Sequence, residues 1–314
     1  MLIEQKIQKD YPLAPLSTYQ IGGPAEFFIA VASKEDLNAA IAWAKEHSQS
    51  ITILGGGSNI LIHDQGIKGL VIKIDNNTVA INDTTMTVGA STDVWSVAET
   101  AFEKKLSGIE WSIGIPGSMG GAIRGNAGAH GGAFDTVVAN VLAFDIQKLE
   151  FFTVSPHDCH FAYRHSIFKE NPNWIVWEVT LNLLNGDQEV MKQQMQEYRN
   201  YRIHSQPKEP SAGCVFKNLL VTDVEKVNPE LIQIANTEGK IRGGKIGAGY
   251  LIQKVDLMGY RVGGAKISEI HANFIVNNKQ AEAKDVAQIM EYVRAEVKKK
   301  YNIELENEIQ YLGF

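Results

Sequence analysis

The chain is 314 residues long, 44% hydrophobic and 21% charged, with a net charge of -6 and a pI near 5.8. That length allows two or three domains with cores of their own, the acidic balance excludes the basic footprint of a nucleic-acid binder, and no apolar run approaches the roughly 18 residues that cross a bilayer. The opening Met-Leu-Ile-Glu-Gln-Lys lacks the basic-then-apolar layout of a signal peptide, and two cysteines, Cys159 and Cys214, are too few for a disulfide framework or a cysteine-based metal site, so the expectation is a cytoplasmic, soluble protein.

In chain order, a proline- and glycine-containing loop leads into a strand over 25–31. Ser33 then reads as an N-cap with Asp36 three residues on. Leu37, Ala40, Ile41 and Ala44 follow at helical spacing, which predicts an amphipathic helix over 34–47. Strands at 51–54, 60–62 and 70–74 complete a small α/β unit with a partly parallel sheet. From Thr78 the pattern turns strand-rich: 79–81 and 86–88 are placed to pair through Asn82-Asp83. Thr92 or Asp93 caps a helix with Val94, Val97, Ala98, Ala101 and Phe102 on one face. Strands follow near 137–144 and 174–183, and a helix over about 187–203. Pro207 and Pro210 mark a change of composition and a domain boundary. Beyond it lie a glycine cluster at 239–249, strands near Arg261 and 274–276, and a helix over 282–301 with Val286, Ile289, Val293 and Val297 on one stripe. A last strand covers 308–312.

Two glycine runs stand out, Gly55-Gly-Gly-Ser-Asn59 and Gly114-Ile-Pro-Gly-Ser-Met-Gly-Gly-Ala122, which continues to Gly132. Each glycine loses more backbone entropy on folding than any other residue, so such runs belong where backbone takes positive φ or must come very close to a ligand. Consecutive free N–H groups form a concavity for anions, which fits a phosphate-bearing cofactor. Neither run is a P-loop, which needs Gly-Lys-Ser/Thr, and neither keeps the G-x-G-x-x-G register of a dinucleotide fold.

Six stretches in fixed order are more specific: the two glycine runs (the second continuing into Asn126-Ala-Gly-Ala129), Tyr163-Arg-His-Ser-Ile-Phe-Lys169, Pro210-Ser-Ala-Gly-Cys-Val-Phe-Lys217, Gly263-Gly264 and Leu305-Glu-Asn-Glu-Ile-Gln310. From about Leu16 to Gly313 the chain resembles the UDP-N-acetylenolpyruvoylglucosamine reductases, flavoenzymes of bacterial peptidoglycan synthesis. The resemblance implies an α+β protein with an FAD-binding fold of the p-cresol methylhydroxylase/vanillyl-alcohol-oxidase type. Two α/β subdomains hold the flavin, over 1–74 (with the C-terminal strand 306–314) and 75–206, and an α+β substrate domain covers 207–305. It also implies a monomer in the cytoplasm, with non-covalent FAD, NADPH as co-substrate and no metal, serving cell-wall biogenesis, cell shape and division. The 50 residues from Arg164 to Cys214 are too few for the substrate-covering tyrosine loop of one branch, so the chain resembles the shorter second branch. The roughly 30 residues after Asn218 exceed the usual connector and read as a mobile loop.

Hydride addition to an enol ether that bears a carboxylate builds negative charge, which fixed cations or protonated groups stabilise, and a proton donor must reach the adjacent carbon. Matched motif by motif, the resemblance implies Arg164 as the carboxylate clamp, Glu308 as the active-site glutamate and Cys214, where many members carry serine, as proton donor. A thiol with an unperturbed pKa of about 8.5 suits that task far better than an alcohol. For FAD the candidates are Gly55, Gly56, Gly57, Ser58 and Asn59, then Ile115, Pro116, Gly117, Ser118, Gly120, Gly121 and Ala122, with Arg124 and Asn126 nearby. For the UDP-sugar they are Tyr163, Arg202 and Lys217, with Gln253, Tyr260, His271 and Asn273. His157, His160 and His165 match no common metal-ligand spacing. Two other readings stay open: an oxidase with flavin attached covalently through His130, and a catalytically inactive nucleotide-sugar sensor.

Overall fold

The structure is a computed structural model that describes residues 3–314; Met1 and Leu2, with the start of the expected first subdomain and of the N-terminal pattern, lie outside the described residues. The chain divides into two compact units. The first contains the residues up to Tyr11, Ala25–Gly56 and Lys68–His204; the second contains Pro12–Pro24, Gly57–Ile67 and Ser205–Phe314.

The first unit is built on two sheets. In one, the strands Gln8–Pro12, Pro24–Val31, Ile67–Ile74 and Ile51–Leu54 lie side by side in that order, the last two parallel with Leu54 opposite Lys73. The other is a five-stranded antiparallel sheet in the order Glu150–Val154, Val138–Asp145, Trp174–Asn182, Thr85–Gly89 and Val79–Asn82. The helix Lys34–Glu46 starts where the sequence places it, with Ser33 Oγ accepting from Asp36 N–H, and buries Leu37, Ala40, Ile41, Trp43 and Ala44. The helix Val94–Glu103 is capped by Asp93, whose side chain accepts from Ser96 N–H. Both sheets and these helices feed one core, in which Ile72, Val88, Val97, Phe134, Phe144, Phe168 and Val179 are each at most 1% exposed.

The second unit centres on the helix Ala283–Tyr301, which buries Val286, Ile289, Val293 and Val297 as the sequence stripe predicts. Its N-terminus is secured by a capping box of Glu282 and Asp285 and by Asp64, which accepts from Ala283 N–H (2.6 Å) and Lys284 N–H (3.1 Å). Gly263 is required by this helix, since a Cβ there would lie 2.3 Å from Asp285 Oδ2, whereas a Cβ on Gly264 would meet Lys279 O at 2.4 Å. The strand Gln310–Leu312 returns to pair in parallel with Ile60–Ile62.

The residues after Asn218 form defined structure where the sequence suggested a loop. Helices Val221–Val227 and Pro229–Thr237 are followed by the short strands Ile241–Arg242 and Lys245–Ile246. The signal was present in Asn228-Pro229: the Asn228 side chain caps Leu231 N–H, and proline at the first helical position loses no needed donor.

Candidate active site

In the first unit the two glycine runs meet. Gly56 N–H donates to Ser118 Oγ (3.0 Å), and a Cβ on Gly56 would lie 2.5 Å from Ser118 N and 2.6 Å from Gly117 Cα. Glycine at 56 is therefore needed for contact between the two runs. Gly120 is also a packing glycine, with Ala90 Cβ 2.9 Å from its would-be Cβ. Gly57, in the second unit, turns with φ +67 against Leu16 O. Gly55 and Gly121 differ: a Cβ on either would meet only Ser118 Oγ, at 2.8 and 3.6 Å. Gly121 is exposed and Gly55 half-buried, and the N–H groups of Gly55, Gly117 and Gly121 find no protein acceptor among the described residues.

Gly121 lies in the helix Met119–Arg124, whose sixth residue, Arg124, is partly buried with its guanidinium held below its usual pKa by that burial. No carboxylate or other acceptor meets the Arg124 side chain among the described residues. Unused N–H groups, bare glycine backbone and an uncompensated cation are the donor set that a diphosphate completes, so the residues present fit FAD. Lys73, which sequence reading missed, reinforces the turn by donating to Gly55 O (2.9 Å). Burial lowers its pKa, and only its register opposite Leu54 could have suggested the contact.

The Tyr163-Arg-His-Ser turn is fastened to the continuation of the second run. Asn126 Nδ2 donates to Ala162 O (3.2 Å) and Asp135 Oδ2 (3.1 Å), Ser166 Oγ to Arg124 O (2.7 Å), and Arg164 Nη1 to Gly128 O (3.3 Å). Arg164 takes φ +56, a strained conformation for a side chain of its size, and Lys169 Nζ holds its carbonyl at 2.6 Å. Arg164 also lies over the Tyr163 ring (5.3 Å). Asn126, expected beside the flavin, is 4% exposed and spends its side chain on this fastening. Arg202, expected with Lys217, belongs to the first unit: it donates to Ile113 O (3.0 Å) and packs its Cδ against Gly114. His130 stacks on Tyr198 with centroids 4.4 Å apart, and His165 pairs with Glu170 at 2.8 Å.

The second unit brings Cys214 and Glu308 onto neighbouring segments. Glu308 N–H donates to Val215 O (2.8 Å), and Lys217 N–H to Glu306 O (2.9 Å). Asn59, at the end of the first glycine run, donates to Glu308 O (3.1 Å) and accepts from Gln310 N–H (2.9 Å). Lys217 Nζ pairs with Glu306 (2.9 Å). Thr18, not singled out from sequence, links Gly57 O (3.1 Å, through its N–H) with Ser211 O (2.7 Å, through its hydroxyl). Gln253 is exposed on the helix Ala248–Lys254, and Tyr260 stacks on Tyr292 (4.8 Å). His271 accepts Asn273 N–H at Nδ1 (3.2 Å) and is held below its usual pKa by burial. Asn273, expected at the uridine or sugar, is 1% exposed with its amide on the Phe216 backbone. Ile115 N–H donates to Ser112 O (3.0 Å), and Ala122 is buried in the helix Met119–Arg124.

The C-terminal-domain model of UDP-N-acetylenolpyruvoylglucosamine reductase matches residues 206–312, and an FAD-binding-domain model matches residues 25–147. The UDP-N-acetylenolpyruvoylglucosamine reductase of Synechococcus sp. (strain JA-3-3Ab) is 38% identical over 98% of this chain and 92% of its own. That of Bacillus subtilis (strain 168) is 34% identical over 98% and 94%. A solved structure, the UDP-N-acetylenolpyruvylglucosamine reductase of Thermus caldophilus, is similar with a TM-score of 0.78 at 32% identity, covering 98% of this chain and 99% of that one. The α+β, FAD-binding fold expected from the six stretches is the fold these matches carry.

Proposed function

This chain belongs to the UDP-N-acetylenolpyruvoylglucosamine reductase family, FAD-binding oxidoreductases, and on that premise we propose that it reduces UDP-N-acetylenolpyruvoylglucosamine to UDP-N-acetylmuramate with NADPH. The reaction takes up one hydride and one proton across the enolpyruvyl double bond and releases NADP⁺. FAD, when bound, supplies the means of passing the hydride from NADPH to the sugar nucleotide. The observation that carries the reading is the pairing of the segments 214–217 and 306–308, which puts a thiol and a carboxylate on adjacent backbone in the second unit.

The Gly55 and Gly117–Gly121 backbone and Arg124 hold the cofactor's diphosphate, and Lys73 keeps the Gly55 turn in place. Arg164 binds the substrate carboxylate and stabilises the charge that builds there; its φ of +56 is a strain kept up by Lys169 and the Gly128 contact. Cys214 delivers the proton to the carbon next to the one that accepts hydride, and Glu308 lies on the segment paired with it. Lys217, freed from Glu306, serves the diphosphate; Tyr163, Gln253, Tyr260 and His271 serve the rest of the ligand. On this reading 1–74 with 306–314, 75–206 and 207–305 are the three functional parts. The protein is a cytoplasmic monomer feeding peptidoglycan synthesis, and no described helix is long and apolar enough to cross a membrane.

The test is loss of dihydronicotinamide absorbance with the yellow protein, with and without the enolpyruvyl substrate, and mass analysis of the product. Substrate-dependent oxidation that yields UDP-N-acetylmuramate is expected. Yellow protein that leaves NADPH untouched in the presence of substrate overturns the reaction while leaving the flavin fold intact.

A further inference from the structure

The segment Cys214–Lys217 is held from two sides within the second unit. Phe216 faces Asn307 in an antiparallel bridge flanked by the Glu308-to-Val215 and Lys217-to-Glu306 hydrogen bonds. In such a non-hydrogen-bonded pair the N–H and C=O of the central residue point away from the partner strand. On the other side Val215 N–H donates to Asn273 O (2.9 Å), and Cys214 bridges to Phe274. The two outward groups of Phe216 are both taken by one side chain: Asn273 Oδ1 accepts Phe216 N–H (3.1 Å), and Asn273 Nδ2 donates to Phe216 O (2.8 Å).

An asparagine amide sets an acceptor beside an N–H donor in the arrangement of a peptide group, so Asn273 substitutes for a missing strand beside the thiol-bearing segment. It is itself fixed from behind, because its N–H donates to His271 Nδ1 (3.2 Å) and its Cβ lies beside Gly249, where an added Cβ would approach to 3.4 Å. Phe216 is fully buried, so neither of its backbone groups can turn to water in place of Asn273. At 1% exposure the Asn273 side chain is enclosed in this contact.

We propose that Asn273 is a positioning residue for proton delivery: its amide locks the backbone two residues beyond Cys214 and thereby sets where the thiol stands against the substrate carbon. The proposal rests on Cys214 as the proton donor. It replaces the expectation that Asn273 touches the nucleotide sugar. Asn273→Asp keeps the shape but presents a carboxylate oxygen to Phe216 O in place of a donor, and Asn273→Ala removes both partners.

The experiment separates the two half-reactions of the FAD-loaded protein by rapid mixing, with Cys214→Ala as the reference. Flavin reduction by NADPH is followed first; reoxidation by saturating UDP-N-acetylenolpyruvoylglucosamine is then followed in H₂O and in D₂O. Misplacement of a reacting group by about an ångström costs up to about a hundredfold. Both Asn273 variants are therefore expected to slow reoxidation by about tenfold to a hundredfold and to enlarge its solvent isotope effect. Their reduction rate and flavin content stay within about twofold of the parent.

Equal slowing of both half-reactions, an unchanged saturating reoxidation rate, or a loss confined to substrate affinity overturns the proposal, the last by returning Asn273 to the sugar site. Where Asn273→Ala does not fold, Asn273→Asp decides, and loss of flavin from that variant also counts against. Slow reoxidation in Cys214→Ala beside parent-like Asn273 variants sinks this proposal alone. Full reoxidation in Cys214→Ala sinks the donor assignment and the positioning role together.

Discussion

The two cysteines of this chain stand in different environments. Cys159 is fully buried in the core of the first unit, and burial pushes its thiol up to about 11, so it is an inert apolar filler. Cys214 is only partly buried and stands on the segment paired with Glu308. Replacing Cys214 by alanine is expected to lower substrate-dependent turnover by about 10²–10⁴-fold, the usual contribution of a positioned proton donor. NADPH should still bleach the flavin, and Cys214→Ser should recover part of the loss; stopped-flow absorbance reads both. His271 offers a test by pH. Burial holds its pKa below the ordinary value of about 6.5. The unfolded chain therefore takes up a proton as pH falls through that value while the folded chain resists, so stability declines below about pH 6.5 and levels off once the folded group has also titrated. Denaturant midpoints from pH 8 to 5 should show this slope, and His271→Gln should flatten it. Arg124→Met is expected to keep the fold and release FAD more readily, measured as free flavin fluorescence on dilution, because the uncompensated cation is removed from the phosphate cradle.

At the scale of elements, the glycine runs combine two kinds of glycine that the sequence shows identically. Gly56 and Gly120 permit close packing, whereas a Cβ on Gly121 would meet only Ser118 Oγ, at an ordinary 3.6 Å. Gly56→Ala should therefore lower the melting temperature of the flavin-free protein, because its Cβ falls on Ser118 and Gly117. Gly121→Ala should leave that temperature unchanged or raise it, since alanine is favoured over glycine in a helix by about 1 kcal/mol, yet its methyl would occupy the cofactor's space and weaken FAD binding. Opposite responses in melting and flavin retention are the expected result; a shared loss of stability would remove the distinction. The helix within the second run was not legible because a six-residue stretch with two glycines, Met119–Arg124, carries no helical periodicity. The two helices after Asn218 were missed for another reason. Glycines and lysines at 239–249 drew attention to flexibility, while the Asn228-Pro229 cap and the spacing of Val224, Leu231 and Ala235 were the real signal.

For the molecule as a whole, the two compact units cut across chain order: segments 12–24 and 57–67 pack with the C-terminal part, because the strand Ile60–Ile62 pairs with Gln310–Leu312 and Tyr19 OH donates to Ile275 O (2.7 Å). A cofactor that binds the folded first unit alone should stabilise it by mass action. FAD restored to the stripped protein at a hundred times its Kd is worth about 2.7 kcal/mol, read as a rise in the thermal midpoint that depends on FAD concentration. The sequence by itself determined the element types wherever periodicity or caps are strong, as in the helices starting at Lys34, Val94 and Ala283, and it carried the six stretches that identify the family. These are local or one-dimensional properties. Only the tertiary structure decided which glycines pack against backbone, that the Asn126 and Asn273 side chains hydrogen-bond to buried backbone, and that Arg202 packs on Gly114. Each depends on which groups, up to 89 residues apart in the chain, arrive as hydrogen-bond partners when buried polar atoms must be satisfied.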